Sequence, residues 1–166
     1  SRVEADRFRR PTAQVDLAAI VKTTIAQLRD SEQARAKDIV ASLGDEPQPM
    51  FGDEAQLGQL AHNIISNAMK YGHAGTPVTV ELAREGRRVR LSVSDEGDGI
   101  APDHLPRLTE RFYRVDEARS RSVGGTGLGL AIVKHISERH QGQLDIASEL
   151  GKGTRVSVAF PLAGQA

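Results

Sequence analysis

The chain has 166 residues, enough for one domain with a real hydrophobic core. Its 22 lysines and arginines balance 22 aspartates and glutamates, so no net basic field favours nucleic acid or an anionic membrane surface. There is no cysteine, which excludes disulfide and cysteine–zinc scaffolds and agrees with a cytoplasmic setting, and no apolar run reaches membrane-spanning length or looks like a signal peptide.

Pro11 opens a new element after an arginine-rich start. Gln14–Val15 is a short strand candidate, and Val15-Asp16-Leu17 leads into a helix near Leu17–Asp30. A second short strand is expected at Pro49–Phe51. From Asp53 onward, Leu57, Leu60, Ala61, Ile64, Ile65, Ala68 and Met69 fall at helical spacing and mark one buried stripe. Asn63, Asn67 and Lys70 follow their own i, i+4, i+7 line, roughly 100–120° round the helix from that stripe. A polar line beside the core, rather than opposite it, faces a cleft wall. Asparagine is a mediocre helix former, so two at this spacing need a reason beyond propensity. The amide oxygen of Asn67 is a hard neutral ligand of the kind Mg²⁺ accepts alongside waters and phosphate oxygens. Lys70 offers a point charge for a phosphate. Taken alone, the same residues describe a helix with two solvent-facing amides and an ordinary terminal lysine.

Val78, Val80 and Leu82 then alternate, Glu85-Gly86 turns the chain, and Val89, Leu91 and Val93 alternate with Arg90, Ser92 and Ser94. That second strand, Val89–Asp95, ends on a carboxylate followed by Gly97 and Gly99. An ionised Asp95 only accepts hydrogen bonds. It suits the exocyclic amino group of adenine and repels the carbonyl oxygen guanine carries there. Gly97 and Gly99 permit a tight turn and close backbone approach, although an acidic Asp-Gly turn is also ordinary turn chemistry.

Residues 100–127 form a long irregular stretch with Pro102, Pro106 and a basic segment, read as a lid that orders around a γ-phosphate. Its end, Gly124-Gly125-Thr126-Gly127-Leu128-Gly129-Leu130, feeds a helix whose buried stripe is Leu128, Ala131, Ile132 and Ile136. A glycine loop opening a helix presents unpaired N–H groups and the positive end of a dipole to an anion. No Gly-Lys-Ser/Thr follows, so it is not a Walker A loop, and the glycine spacing does not fit the dinucleotide fingerprint. Leu144–Ser148 and Arg155–Phe160 read as a hairpin around Gly151-Lys152-Gly153. The whole suits a two-layer α/β sandwich, a mixed and mostly antiparallel sheet covered on one face by three helices, with a nucleotide between helices and loop.

These residues resemble a known family. Asn63-Ile64-Ile65-Ser66-Asn67-Ala68-Met69-Lys70-Tyr71 is similar to the N box of the sensor histidine kinases, Asp95-x-Gly97-x-Gly99 to their G1 box, and Gly125-Thr126-Gly127-Leu128-Gly129-Leu130 to their G2 box. Between them Glu110-Arg111-Phe112-Tyr113-Arg114-Val115-Asp116 resembles the F box. The stretch 105–116 looks especially close to the phosphate-regulon sensor kinases, with Thr109 where many relatives carry phenylalanine. The resemblance implies the Bergerat fold of the wider kinase and ATPase superfamily, ATP and Mg²⁺ as ligands, and a mobile ATP lid.

It also implies roles. Asn67 binds Mg²⁺ with Asn63 assisting; Lys70 reaches the phosphates; Tyr71 packs on adenine. Asp95 accepts from the adenine amino group, and Gly97 and Gly99 line the base pocket. Gly125, Thr126, Gly127, Leu128 and Gly129 belong to the lid and phosphate cradle. Arg114, with Arg119 and Arg121 as further candidates, stabilises charge on the transferred phosphoryl group. Asn63, Lys70 and Arg114 are thus the catalytic candidates. The acceptor would be a histidine on a separate dimerisation domain, which then feeds a response regulator. His62, His73, His104, His135 and His140 do not head a long dimerising helix; the last two are placed on the helix after the lid.

On the same resemblance, residues 1–10 are the end of the dimerisation hairpin and its linker, 11–163 the catalytic and ATP-binding domain, and 164–166 a tail. The expectation is a monomeric cytoplasmic domain, belonging to a membrane-anchored protein, that touches neither nucleic acid nor membrane itself. Two other readings share the fold: an ATPase of the gyrase, Hsp90 and MutL type, and a non-catalytic nucleotide-binding module. The former enzymes place a water-activating glutamate where this helix has Asn63, and the intact Asn67, Lys70, Asp95 and glycines weigh against the latter.

Overall fold

Asp16 ends a short strand, β1 (Gln14–Asp16), and caps the first helix, α1 (Leu17–Asp30), by accepting the Ala18 N–H at 3.0 Å. The same oxygen accepts the Gln48 N–H at 2.8 Å, so one carboxylate fixes both the helix start and a distant loop. The chain's fold is given by a computed structural model that describes residues 10–31, 33–110 and 129–164. The segment assigned above to a linker (1–10) therefore lies almost wholly outside the described residues, as do most of the F box and lid and the end of the tail.

After α1 a 3₁₀ turn, Ala34–Asp38, leads into β2 (Ile39–Ser42), an element the hydrophobic pattern did not announce. Next come β3 (Pro49–Phe51) and the long α2 (Glu54–Tyr71), then β4 (Val78–Glu85) and β5 (Arg88–Ser94). A short 3₁₀ turn, Leu105–Arg107, stands inside the stretch read as irregular, and the adjoining Leu108 is buried. The third helix, α3 (Gly129–Arg139), precedes the hairpin of β6 (Gln143–Glu149) and β7 (Gly153–Pro161).

The five-stranded sheet has the order β2-β4-β5-β7-β6. β2 runs parallel to β4 and every other pair in this sheet is antiparallel, so the sheet is mixed and mostly antiparallel. β1 and β3 do not join it; they form their own antiparallel pair. Alternation puts Val78, Val80 and Leu82 of β4, Val89, Leu91 and Val93 of β5, and Val156, Val158 and Phe160 of β7 into the core. Leu17, Val21 and Leu28 of α1 and the seven-residue apolar stripe of α2 close it from the helical side. The two-layer α/β sandwich of the Bergerat type is the architecture found.

α3 departs from expectation in its face. Val133, Ile136 and Ser137 are its buried residues, whereas Ala131 and Ile132 are only half-buried; Leu128 lies outside the described residues. The helix packs beside α2 near the sheet edge, so a narrow stripe suffices. His140 sits one residue beyond the helix end and is buried, rather than lying on the helix. Its Nδ1 donates to the Ile136 carbonyl at 2.8 Å, its Nε2 accepts the Asp53 N–H at 3.0 Å, and its ring meets Phe160 edge-on at 6.2 Å. It therefore joins the end of α3 to the start of α2.

Candidate functional site

Asp53 caps α2 by accepting the Gln56 N–H at 3.0 Å, and a buried stripe on one side leaves Asn63 and Asn67 half-buried at its flank. Lys70 is exposed and Tyr71 half-buried in the last turn. The helix stops at Gly72, whose backbone forms an isolated antiparallel bridge with Gly97. His73 N–H then donates to the Glu96 carbonyl at 3.0 Å. The end of α2 is thus stitched to the turn that follows β5, and the asparagine line and the Asp95 turn meet at one place.

Asp95 follows β5 directly. Its backbone N–H donates to the Thr154 carbonyl at 2.8 Å, and its side-chain Oδ1 accepts the N–H groups of Gly97 at 3.0 Å and Thr154 at 3.3 Å. Both contacts fall on Oδ1, so Oδ2 is the oxygen left to a ligand. Burial pushes the carboxyl above its ordinary value, while the two N–H donors and the charges of Arg35 and His73 pull it back. A half-buried, fixed carboxylate with one committed oxygen is a directional acceptor.

The glycines of this turn answer to close approach. A Cβ on Gly97 would strike the Tyr71 carbonyl, and one on Gly99, at φ +76°, would strike the Glu149 carbonyl. Only glycine lets the turn lie this near both neighbours. Gly151 N–H donates to the Asp98 carbonyl at 2.7 Å, and Ser148 Oγ accepts the Ile100 N–H at 2.8 Å, so the β6–β7 hairpin holds the far side.

Gly129 opens α3 and faces Asn67: a Cβ there would come within 3.5 Å of the Asn67 amide nitrogen and 3.7 Å of its oxygen. The amide of Asn67 therefore lies at the N-terminus of α3, where backbone N–H groups and the helix dipole favour an anion. Among the described residues no group of three or more histidines or acids could hold a metal ion. A cation here would rest on amide oxygen and on oxygens brought by an anionic ligand, which is the donor set Mg²⁺ accepts with a polyphosphate. The residues fit such a pair of ligands.

Of the sequence candidates, Asn63, Asn67, Lys70, Tyr71, Asp95, Gly97, Gly99 and Gly129 fall on two adjoining structures, the flank and end of α2 with the start of α3, and the turn after β5. Arg114, Arg119, Arg121, Gly125, Thr126, Gly127 and Leu128 lie outside the described residues. Three participants had no sequence signal. Thr154 fixes Asp95 from both sides, Ser148 ties Ile100 to the hairpin, and Arg35 reaches across from the 3₁₀ turn to Met69 and His73. The Gly153-Thr154 step after the hairpin turn was visible, but its partner Asp95, just past β5, is 59 residues away in sequence.

Comparison with known proteins agrees with this fold. The profile of the family described as histidine kinase-, DNA gyrase B-, and HSP90-like ATPase matches residues 52–164. The phosphate regulon sensor protein PhoR of Pseudomonas aeruginosa is 41% identical over 143 residues, covering 84% of this chain and 32% of that protein. The fold is similar to the mycobacterial sensor histidine kinase MprB, with a TM-score of 0.76 and 28% identity over 91% of this chain and 97% of that one. It is also similar to full-length ShkA in complex with AMPPNP, at a TM-score of 0.74 and 32% identity over 93% of this chain and 32% of that one. The chain spans about a third of the length of the curated relatives it matches.

Proposed function

We propose, from the premise that the chain belongs to the histidine kinase-, DNA gyrase B-, and HSP90-like ATPases and is an ATP-binding catalytic domain of the sensor histidine kinase type, that it passes the γ-phosphoryl group of ATP to a histidine on a separate domain. The observation that carries this reading is the convergence of three features: Asp95 Oδ2 left for a base, Asn67 at the N-terminus of α3, and the stitching of α2 to the Asp95 turn. The first suits an adenine amino group and the second a polyphosphate. That full-length ShkA, similar in fold to this chain, forms a complex with AMPPNP supports nucleotide binding as such.

In this reading Asp95 accepts a hydrogen bond from the adenine amino group through Oδ2, and Gly97 and Gly99 let the turn approach the base. Tyr71 packs on the ring. Asn67, assisted by Asn63, would hold Mg²⁺, which when bound neutralises charge on the phosphate oxygens. Lys70 adds a point charge beside the phosphates, and Gly125, Thr126, Gly127, Leu128 and Gly129 supply backbone N–H groups around them. Arg114 is assigned to the transferred group. The chain itself performs no covalent step: it orients the γ-phosphorus and offsets its charge. The incoming imidazole nitrogen forms the new N–P bond as the bond from phosphorus to the bridging oxygen breaks and ADP leaves. Asn63 carries an amide and no general base, so water is poorly activated and transfer to a protein is favoured over hydrolysis.

The test supplies γ-labelled ATP and Mg²⁺ with the histidine-bearing dimerisation domain added separately. Label should appear on that domain as an acid-labile phosphoramidate, and should vanish when its histidine is replaced. Rapid release of inorganic phosphate, unchanged by that domain, would instead favour an ATPase. On the same reading a response regulator receives the phosphoryl group next, and the full-length protein is membrane-anchored with this domain in the cytoplasm.

A further inference from the structure

Arg35 stands outside every motif, on the 3₁₀ turn after α1, yet its guanidinium is spent on the end of α2. Nε donates to the Met69 carbonyl at 3.3 Å, and Nη1 to the His73 carbonyl at 2.5 Å and to Asp38 Oδ2 at 3.0 Å. Asp38 Oδ2 also accepts the Gly75 N–H at 3.3 Å, so the pair grips the turn on both sides of His73. Nη2 is buried and has no hydrogen-bond partner among the described residues. A Cβ on Gly72 would lie 3.0 Å from that Nη2 and 3.1 Å from the Asp95 Cβ, so the guanidinium and the Asp95 side chain flank the spot that the missing side chain of Gly72 leaves open. A buried charge left one donor short is costly where nothing on the other side uses it. Here the group on the other side is the carboxylate assigned to the base.

We propose that Arg35 is a positioning residue for base recognition: beside Gly72 it fixes the end of α2 against the Asp95 turn and sets, through its charge, how well Asp95 receives the base. The inference rests on the nucleotide-site reading above and adds a residue to it. Arginine suits the task because a planar fork can hold two carbonyls and a carboxylate at once, and because carbonyls at a helix C-terminus favour a cation. Around Asp95 the charged groups are Arg35 and Asp38 on the 3₁₀ turn, Lys70 on α2, and His73 after it. Glu96 and Asp98 lie in its own turn, and Glu149 and Lys152, paired at 3.3 Å, on the hairpin. Of these, Arg35 and His73 favour the ionised carboxylate, and His73 Nε2 lies 2.7 Å from Asp98 Oδ1 on the exposed side.

The test has two readings on wild type, Arg35→Met and Arg35→Lys. The first is the titration of the Asp95 carboxyl in nucleotide-free protein by carbon-detected NMR. The second is the affinity for Mg-ADP as a function of pH. In Arg35→Met the Asp95 midpoint should move upward, ADP affinity near neutral pH should fall roughly tenfold, and the acid limb of binding should move with the carboxyl. Arg35→Lys, which keeps the charge without the fork, should restore the Asp95 midpoint and recover part of the affinity. If Arg35→Met fails to fold, Arg35→Gln and Arg35→Lys carry the same comparison. An unmoved Asp95 midpoint, or an affinity loss equal at every pH, would show a merely structural arginine and overturn the proposal. A shifted midpoint with unchanged ADP affinity would overturn it as well. Failure of the wild type to bind ADP would remove the base-pocket reading itself, and a midpoint that still moved would separate that failure from a failure of the Arg35–Asp95 coupling.

Discussion

Asp95 costs stability, and the role proposed for it in binding turns on the same carboxylate. Its folded pKa is raised above the ordinary value of 3.8, so its contribution to stability is fully present below that value and is lost as pH rises through the folded pKa. At neutral pH the native state therefore carries an ionised group it partly disfavours. Asp95→Asn removes that cost, and its thermal midpoint at pH 7 should equal or exceed that of the wild type. The Asn oxygen would keep the Gly97 and Thr154 N–H groups, because both now point at Oδ1, and the amide NH₂ would then stand where Oδ2 receives the base. Two donors would face each other, and Mg-ADP affinity should fall by about 100-fold. A variant that is both less stable and still binds ADP normally would contradict this placement. Gly97→Ala should fail for a different reason, since its methyl meets the Tyr71 carbonyl: expect about 2 kcal/mol lost in chemical denaturation together with weakened ADP binding.

Among the elements, α2 and β5 were legible because their periodicity is long and clean: the seven apolar positions read from the sequence of α2 are the seven found buried. β2 was not, because Ile39–Ser42 buries only Ile39 and leaves three residues exposed, so an edge strand parallel to β4 left no alternation to read. α3 was misread in its face, since glycines and half-buried aliphatics blur a short helix at a sheet edge. The motif residues that are described announced themselves through local spacing, whereas Arg35 and Ser148 bond to backbone groups and Thr154 bonds through its own, and a backbone partner leaves no trace in residue type. His140 belongs to this scale, for it ties α3 to α2. Burial lowers its pKa, so the imidazole stays neutral in the fold and accepts from Asp53 N–H. The unfolded chain takes up that proton near pH 6.5; the stability involved is full above that pH and falls as pH drops toward the folded pKa. Thermal midpoints measured between about pH 7 and 5 should decline less steeply in His140→Gln than in the wild type. At pH 7.5 the variant itself should be less stable by about 2 kcal/mol.

Among the described residues, the molecule is a sheet with one helical face and one bare face. The bare face is polar and self-satisfied: Arg90 pairs with Glu85 at 2.7 Å and reaches Ser157, and Arg155 reaches Ser92 from the neighbouring strand. Ser92, Ser157 and Ala159 are buried on this face. Among the described residues of this face the exposed Val40 is an isolated apolar side chain, and the domain should elute as a monomer in size-exclusion chromatography with light scattering; a dimer persisting on dilution would contradict this. Among the described residues no helix is long and apolar enough to cross a membrane. The residues proposed to face the nucleotide lie instead at one edge of the helical layer, where α2, α3 and the turn after β5 converge.

Calorimetric titration of Mg-ADP and Mg-GDP into the wild-type domain and Asp95→Asn tests that convergence most directly. The expected result is Mg²⁺-dependent binding that prefers adenine in the wild type and collapses in the variant. Equal binding of both nucleotides, or no binding by the folded wild type, would contradict the pocket assigned to Asp95.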